Sequence, residues 1–408
     1  MISPCRIHRP RKLIDSLPLA FLFAAFLLIP RNEATGQGAT VPLDITAGVD
    51  IGYDDHVLGG GATTSSSGQT SFFARENVVL SYDRPKERTE LRLIAVGRFS
   101  QFFDLGGDDK DGNITLALTH NFSTRLSFRA DVYAAYQTEP NFQSNVGPEN
   151  VRANHFITSD IFSLSYQWLP RLSSITTFTF DRIQYAQTTT TTTAIGIAQD
   201  RFQYTLGEGL QLSFTTRTNL VLQYRYLIVD YDSSPRDSTT HFALVGFDHN
   251  LTENLVINVL GGASFRSFKD DGNSIDPYAQ VGIRYQGSNH SLSWLTTYSV
   301  EQPTQTLAMG STTLRTGLNA TYDLTSRINA RAAVYYYNSS NQGSIGTTSA
   351  GAQDGLQFTL GLNYRINNHW AVNANTTYSA QFSSGATGGG GTGGYSRNHY
   401  FAGVTYHY

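Results

Sequence analysis

Side chains that could do chemistry are few in kind in this 408-residue sequence. The only cysteine is Cys5, so everything beyond the first segment lacks a disulfide, a thiolate metal site or a cysteine nucleophile. His120, His241, His249 and His290 fall in or beside extended segments. No G-x-S-x-G or H-E-x-x-H pattern accompanies them, which argues against a hydrolase or a zinc protease. Two acidic segments, DLGGDDKDGN at 104–113 and KDDGNSID at 269–276, cluster carboxylates around glycine but lack the full calcium-loop spacing with its terminal Glu. Asp, Gly and Asn also simply make turns, so no metal, no cofactor and no enzymatic activity is expected.

Arginine is what recurs with a pattern. Arg92, Arg98, Arg129, Arg225, Arg266, Arg284, Arg315, Arg331 and Arg365 each stand on the polar side of a segment in which apolar and polar residues alternate. Arginine facing lipid at mid-membrane costs about 2–4 kcal/mol, so these nine are expected to face water and line a lumen. Fewer acids are expected beside them: Asp50, Glu90, Asp131 and Glu301. Such a wall is locally positive and suits anions or acidic sugars; alternatively the arginines pair with carboxylates and stiffen the lumen without selecting anything. Tyr133, Tyr278 and Tyr335, on the same faces, could stack on sugar rings or fill space.

These residues require strands to hold them. In LQFTLGLNYRI, Leu356, Phe358, Leu360, Leu362, Tyr364 and Ile366 share one face, and Gln357, Thr359, Gly361, Asn363 and Arg365 share the other. Successive strand side chains point to opposite faces, so every such segment has an apolar side and a polar or small side. The pattern repeats about eighteen times between residues 44 and 408, with 16 or 20 strands reachable by merging or splitting a hairpin. The segments run to about ten to thirteen residues, near the length a tilted strand needs to cross a bilayer, whereas a soluble sandwich or propeller uses strands of about five or six. Breaks between them alternate strictly short and long, as in an up-and-down barrel with tight turns on one rim and loops on the other. The expected fold is therefore an all-β, transmembrane, antiparallel up-and-down barrel with both termini on the short-turn rim.

Residues 1–36 carry basic Arg6, Arg9, Arg11 and Lys12, an apolar run from Leu17 to Ile29, and small Ala34 and Gly36. That is the layout of a cleaved secretory signal, too short in its apolar run to span a bilayer. A short periplasmic segment would follow over 37–43 and the barrel over 44–408. Of 29 basic and 32 acidic residues, the signal holds five and two, so the remainder carries about −6 and no nucleic-acid partner is expected. Charged residues make up only 15% of the chain against 24 Phe and 23 Tyr, whereas a soluble domain carries charge nearer a quarter. Low-complexity stretches at 188–193 and 385–394 read as loops without chemistry.

The closing segment NHYFAGVTYHY places Tyr400, Ala402, Val404, Tyr406 and Tyr408 on one face. Its last two members, Tyr406 and Tyr408, are similar to the terminal signal read by barrel-assembly machinery. The tyrosine series does not continue to position 404, where a valine, Val404, stands instead. The segment THFALVGFDHNLTENLVINVLGGASF, residues 240–265, resembles a hairpin of outer-membrane β-barrel porins associated with exopolysaccharide export. That resemblance implies an outer-membrane location, with outer-membrane lipid and the assembly machinery as partners. The expected function is a porin-like channel for diffusion or export of hydrophilic solutes, with anionic solutes or exopolysaccharide as cargo. The alternative is a non-conducting barrel used in surface adhesion or envelope scaffolding.

Overall fold

The computed structural model describes residues 43–57, 70–104, 108–138, 154–186, 200–233, 235–269, 272–302, 308–342, 352–384 and 395–408. The expected signal segment at 1–36, most of the 37–43 segment and both low-complexity stretches lie outside the described residues.

Eighteen strands run in chain order: β1 (Leu43–Asp54), β2 (Ser71–Pro85), β3 (Thr89–Phe102), β4 (Asp108–Asn121), β5 (Leu126–Gln137), β6 (His155–Leu169), β7 (Leu172–Tyr185), β8 (Arg201–Ser213) and β9 (Thr218–Tyr231). They continue as β10 (Ser238–Asn250), β11 (Leu255–Phe268), β12 (Asn273–Gln286), β13 (His290–Glu301), β14 (Gly310–Asp323), β15 (Ile328–Gln342), β16 (Ala352–Arg365), β17 (Trp370–Ser384) and β18 (Tyr395–His407). Each pairs antiparallel with its neighbours in sequence, and β18 pairs back onto β1, so the sheet closes into a barrel without an edge. The start of β1 and the end of β18 meet at the rim that carries the short turns.

The short turns share a chemistry. Ser123 Oγ accepts from the backbone N–H groups of Arg125 and Leu126, Thr325 Oγ1 from Arg327 and Ile328, and Asn367 Oδ1 from His369 and Trp370. Thr215 and Thr252 make the first of these contacts, to Arg217 and Asn254. A short polar side chain that caps its own turn leaves the chain free to reverse within a few residues.

Register fixes which face each residue takes. Asp50 lies opposite Arg75 and Gly403, and all three belong to the inner face, while neighbouring Val49 and Ile51 face out. The outer wall is apolar: Ile51, Leu206, Leu222 and Val245 are each more than half exposed. Around the short-turn rim this wall carries rings in contact, Tyr166 with Trp168, His290 with Tyr285 and Tyr322, and Trp370 with Tyr406. Tyr53 with Phe72 and Phe180 with Tyr204 sit toward the other rim. An apolar belt bounded by aromatic rings is the surface that a bilayer, not water, covers.

The outward face of β18 shows where the ring series stops. Tyr406 and Tyr408 lie at the short-turn rim, but position 404 holds no tyrosine: Val404 sits between Val49 of β1 and Val372 of β17, exposed on the outer wall. One step in from the rim, three valines side by side belong to the apolar belt, where a hydroxyl-bearing ring would leave its polar end in hydrocarbon.

Polar groups on the outer wall are tied to neighbours. Arg182 faces out near the long-loop rim, lies over the Phe202 ring and forms an ion pair of 2.6 Å with Asp232. That hydrogen bond holds the Asp232 carboxyl below its usual range. Glu208, further down, accepts from Thr176 Oγ1 at 2.6 Å.

Candidate functional site

The inner wall changes along the barrel axis. On β16 the inward residues Gln353 and Gly355 are buried, and Asn363 and Arg365 at the other end are exposed. On β10, Ser238, Thr240, Phe242 and Leu244 are buried and Asn250 is exposed. β14 repeats this from buried Ser311 and Thr313 to exposed Asp323. The lumen is therefore closely packed in its long-loop half and open in its short-turn half.

Register places all nine arginines singled out from the sequence on the inner face, spread around the circumference. Arg92 lies opposite Asp83, and Arg98 lies opposite Asn77 and Asp111. Arg129 pairs with Asp131 at 2.6 Å. Arg331 donates to Asn329 Oδ1 at 3.2 Å and Arg365 to the Ser326 carbonyl at 2.6 Å. Arg284 lies opposite Val256 and Ser293 in the open half. Arg266, almost fully buried, donates to the Glu301 carbonyl at 3.3 Å and to Thr240 Oγ1 at 3.4 Å. Arg315 grips the Glu301 carboxylate with two nitrogens at 2.8 and 2.9 Å.

Three more inward arginines escape a reading by sequence alone: Arg75 on Asp50 at 2.8 Å, Arg201, and Arg397, which is bonded to Asp54. Arg397 and Arg201 stand at the long-loop ends of their strands, where alternation is too brief to show a face.

Inward acids are more numerous than expected. Register also puts Asp44, Asp54, Asp83, Asp109, Asp111, Asp181, Asp248, Asp276 and Asp323 on the inner face, so the inward acids at least match the arginines. The expected positive excess of the wall is absent among the described strands. The missed acids cluster near strand ends, in stretches whose composition reads as turn. The segment 108–113, read as loop, is the first part of β4, and 273–276 opens β12. Both are drawn into strands by pairing with neighbours rather than by their own propensity. No cluster of His, Cys, Asp and Glu able to hold a metal occurs among the described residues.

Arg225 and Arg315 come together on the wall of one recess of about 570 Å³. Gln203, Asn319, Tyr278 and Tyr335 supply further polar edges, and Leu227, Phe242 and Leu295 an apolar side. Arg225 donates to Gln223 Oε1 at 2.8 Å and to the Tyr278 hydroxyl at 3.3 Å. Phe242, Leu244, Leu260, Tyr278 and Val300 form a buried cluster beside it.

The three inward tyrosines are engaged. Phe242 meets the Tyr278 ring edge-on at 5.9 Å, the Tyr335 hydroxyl donates to Asn319, and Tyr133 packs on Ala135 and Ile157. The four histidines all lie on the outer wall, where His120, His241 and His249 share hydrogen bonds with Thr89, Tyr224 and Thr218.

No family model matches the chain, and no curated protein matches it. Among solved structures it is similar to Pseudomonas aeruginosa OpdK crystallised with vanillate, at 11% identity and TM-score 0.45, covering 90% of this chain and 98% of that one. It is also similar to Acinetobacter baumannii OccAB4, at 11% identity and TM-score 0.41, covering 90% and 98%. The siderophore receptor PirA from Acinetobacter baumannii aligns at 9% identity and TM-score 0.42, covering 91% of this chain and 81% of its own.

Proposed function

We propose that this barrel is an outer-membrane channel through which small hydrophilic solutes diffuse, narrowest in its long-loop half. The observation that carries the reading is the two-faced wall: apolar and ringed with aromatics outside, polar and increasingly open inside. Barrels of 16–18 strands leave room for water, unlike eight-stranded ones, which side chains fill. In this reading both strand termini sit in the periplasm, and Tyr406 and Tyr408 present the last strand to the assembly machinery.

Matched inner acids and arginines favour weak overall ion selectivity, so any preference for anions has to be local rather than a property of the wall. A polysaccharide slide needs open ring faces. Tyr278 is buried against Phe242 and Tyr335 is tied to Asn319, which supports small solutes over a polymer.

The close packing of the long-loop half favours a second reading, a closed barrel that acts as an envelope scaffold or adhesion platform. Planar-bilayer recordings of the refolded protein under a salt gradient separate the two. Discrete current steps with a reversal potential near zero support the channel, and a folded, inserted barrel that passes no current leaves the scaffold.

A further inference from the structure

The short-turn rim repeats one position in every turn, the last residue before the chain re-enters a strand. Its carbonyl accepts a backbone hydrogen bond from the neighbouring strand: Arg88 from Asn121, Arg125 from Gln167, Arg171 from Ser213 and Arg217 from Asn250, at 2.8–2.9 Å. These four belong to consecutive turns, β2–β3, β4–β5, β6–β7 and β8–β9. On the next two turns the same position holds Asn254 and Asn289, and beyond them Arg327 and His369. The backbone is thus pinned at each site, and arginines stand along one unbroken arc of the rim.

Alternation puts this arc on the lumen side of the rim. The residue after each arginine faces out, Thr89 opposite His120, Leu126 opposite Tyr166, Leu172 opposite Leu212 and Thr218 opposite His249, so the arginine before it belongs to the inner side. Arg125, Arg171 and Arg217 are exposed, and none of the three takes part in an ion pair among the described residues. Their own turns contain no acid, whereas Glu87 stands beside Arg88. Of the inward carboxylates on the same arc, Asp131 is held by Arg129, and Asp248 accepts from Gln211. The lower inner wall of β6, β7 and β8 offers Ser165, Gln167, Ser173, Gln211 and Ser213, neither acid nor ring. The chain as a whole is acidic, 32 Asp and Glu against 29 Lys and Arg, so the arc is a local exception.

We propose that this arc docks an extended acidic peptide segment of a periplasmic partner, with Arg125, Arg171 and Arg217 each taking one carboxylate. The proposal rests on the outer-membrane reading only for the side from which the partner arrives. Neighbouring short turns are two strands, about 10–12 Å, apart, so no two of these arginines share one small anion. An extended peptide advances about 3.3 Å per residue and brings a carboxylate to each arginine in turn when acids recur every third or fourth residue. Acidic sugars fit less well, because the rings that could stack on them, Tyr166 and Trp168, lie on the outer wall. Lipid headgroups meet that outer wall too, and not the lumen side of the rim.

The test is fluorescence anisotropy of a labelled peptide of four Glu-Gly-Ser repeats, titrated with the refolded full chain in neutral detergent. Peptides with Gln or Lys in place of Glu, and an oligogalacturonate of equal charge, serve as comparisons. The acidic peptide is expected to bind saturably, and the Gln and Lys peptides at least about tenfold more weakly, because the charge-assisted bonds are lost with them. Raising salt from about 0.05 to about 0.3 M weakens the acidic peptide about tenfold, since the pairs are exposed and screened. R125Q/R171Q/R217Q is expected to weaken binding about tenfold or more, whereas R125K/R171K/R217K, which keeps the charge, stays within about threefold of wild type. R284Q/R327Q/R331Q removes as many charges from the other side of the barrel and leaves binding unchanged. No saturable binding, or equal affinity of the two glutamine variants with retained heat-modifiable mobility, would overturn the proposal. So would tighter binding of the oligogalacturonate than of the peptide, or full loss of peptide binding once phosphatidylglycerol is mixed into the micelle, which assign the arginines to sugar or to lipid. Salt conductance on the same preparation keeps the two claims apart. Current without peptide binding removes the docking arc alone, and binding without current removes the channel alone.

Discussion

At the scale of single residues, the inner wall carries four arginine–carboxylate pairs in contact among the described residues, at Arg75, Arg129, Arg315 and Arg397. Arg315 and Glu301 form a pair well removed from water, with side-chain exposures of 12% and 6%. Losing one member of a buried pair leaves the other charge uncompensated, at a cost of about 3–5 kcal/mol. R315A is therefore expected to lower unfolding free energy by about that amount in urea titrations, and R315A/E301Q to regain part of it. A loss under about 0.5 kcal/mol would mean that Arg266 and Arg201 already neutralise Glu301 without help. The arginines were legible in the sequence because each sat alone in an otherwise alternating segment. Acids such as Asp54 and Asp276 were not, because they stand near strand ends in stretches rich in turn-forming residues.

At the scale of the strand, alternation carries almost all the information. β9 and β11, at 218–231 and 255–268, coincide with stretches of clear alternation in the sequence. Some strands run on past the alternating pattern, as at the long-loop end of β15, which continues to Gln342. There the residues Asn338 to Gln342 are all polar, so no apolar face marks the strand, and only pairing with β14 and β16 extends it. Glycine was legible as a small residue but not as a packing requirement. A Cβ on Gly262 would meet the Ala243 carbonyl oxygen at 2.0 Å, a backbone atom that cannot swing aside, whereas Gly97 has nothing within 4 Å. Gly262→Ala is expected to cost about 1–3 kcal/mol or more and to depress refolding yield, with Gly97→Ala close to wild type. Heat-modifiability gels of the two variants check this, and equal yields would show that the β10–β11 pair adjusts more freely than its geometry implies.

At the scale of the whole molecule, one wall separates two solvents. The sequence carries this directly, since a period of two sends apolar residues to one side and polar residues to the other over eighteen strands. The axial difference inside the lumen was not legible, because burial of Gln353 and exposure of Asn363 on the same strand depend on what the closed barrel brings near them, not on residue type. The expected excess of positive charge failed for the related reason that charge balance on a closed surface is a sum over all strands.

Water inside and lipid outside can both be read on one strand, by single-cysteine labelling along β16. In a Cys5→Ser background reconstituted into vesicles, Asn363→Cys is expected to react readily with a membrane-impermeant maleimide. Leu360→Cys and Leu362→Cys should stay protected, and a fluorophore placed there should be quenched by brominated lipid. Gln353→Cys, inward but buried, should react far more slowly than Asn363→Cys. The reverse pattern, with positions 360 and 362 open to the aqueous reagent and 363 quenched from the bilayer, would contradict a barrel with its apolar face in lipid.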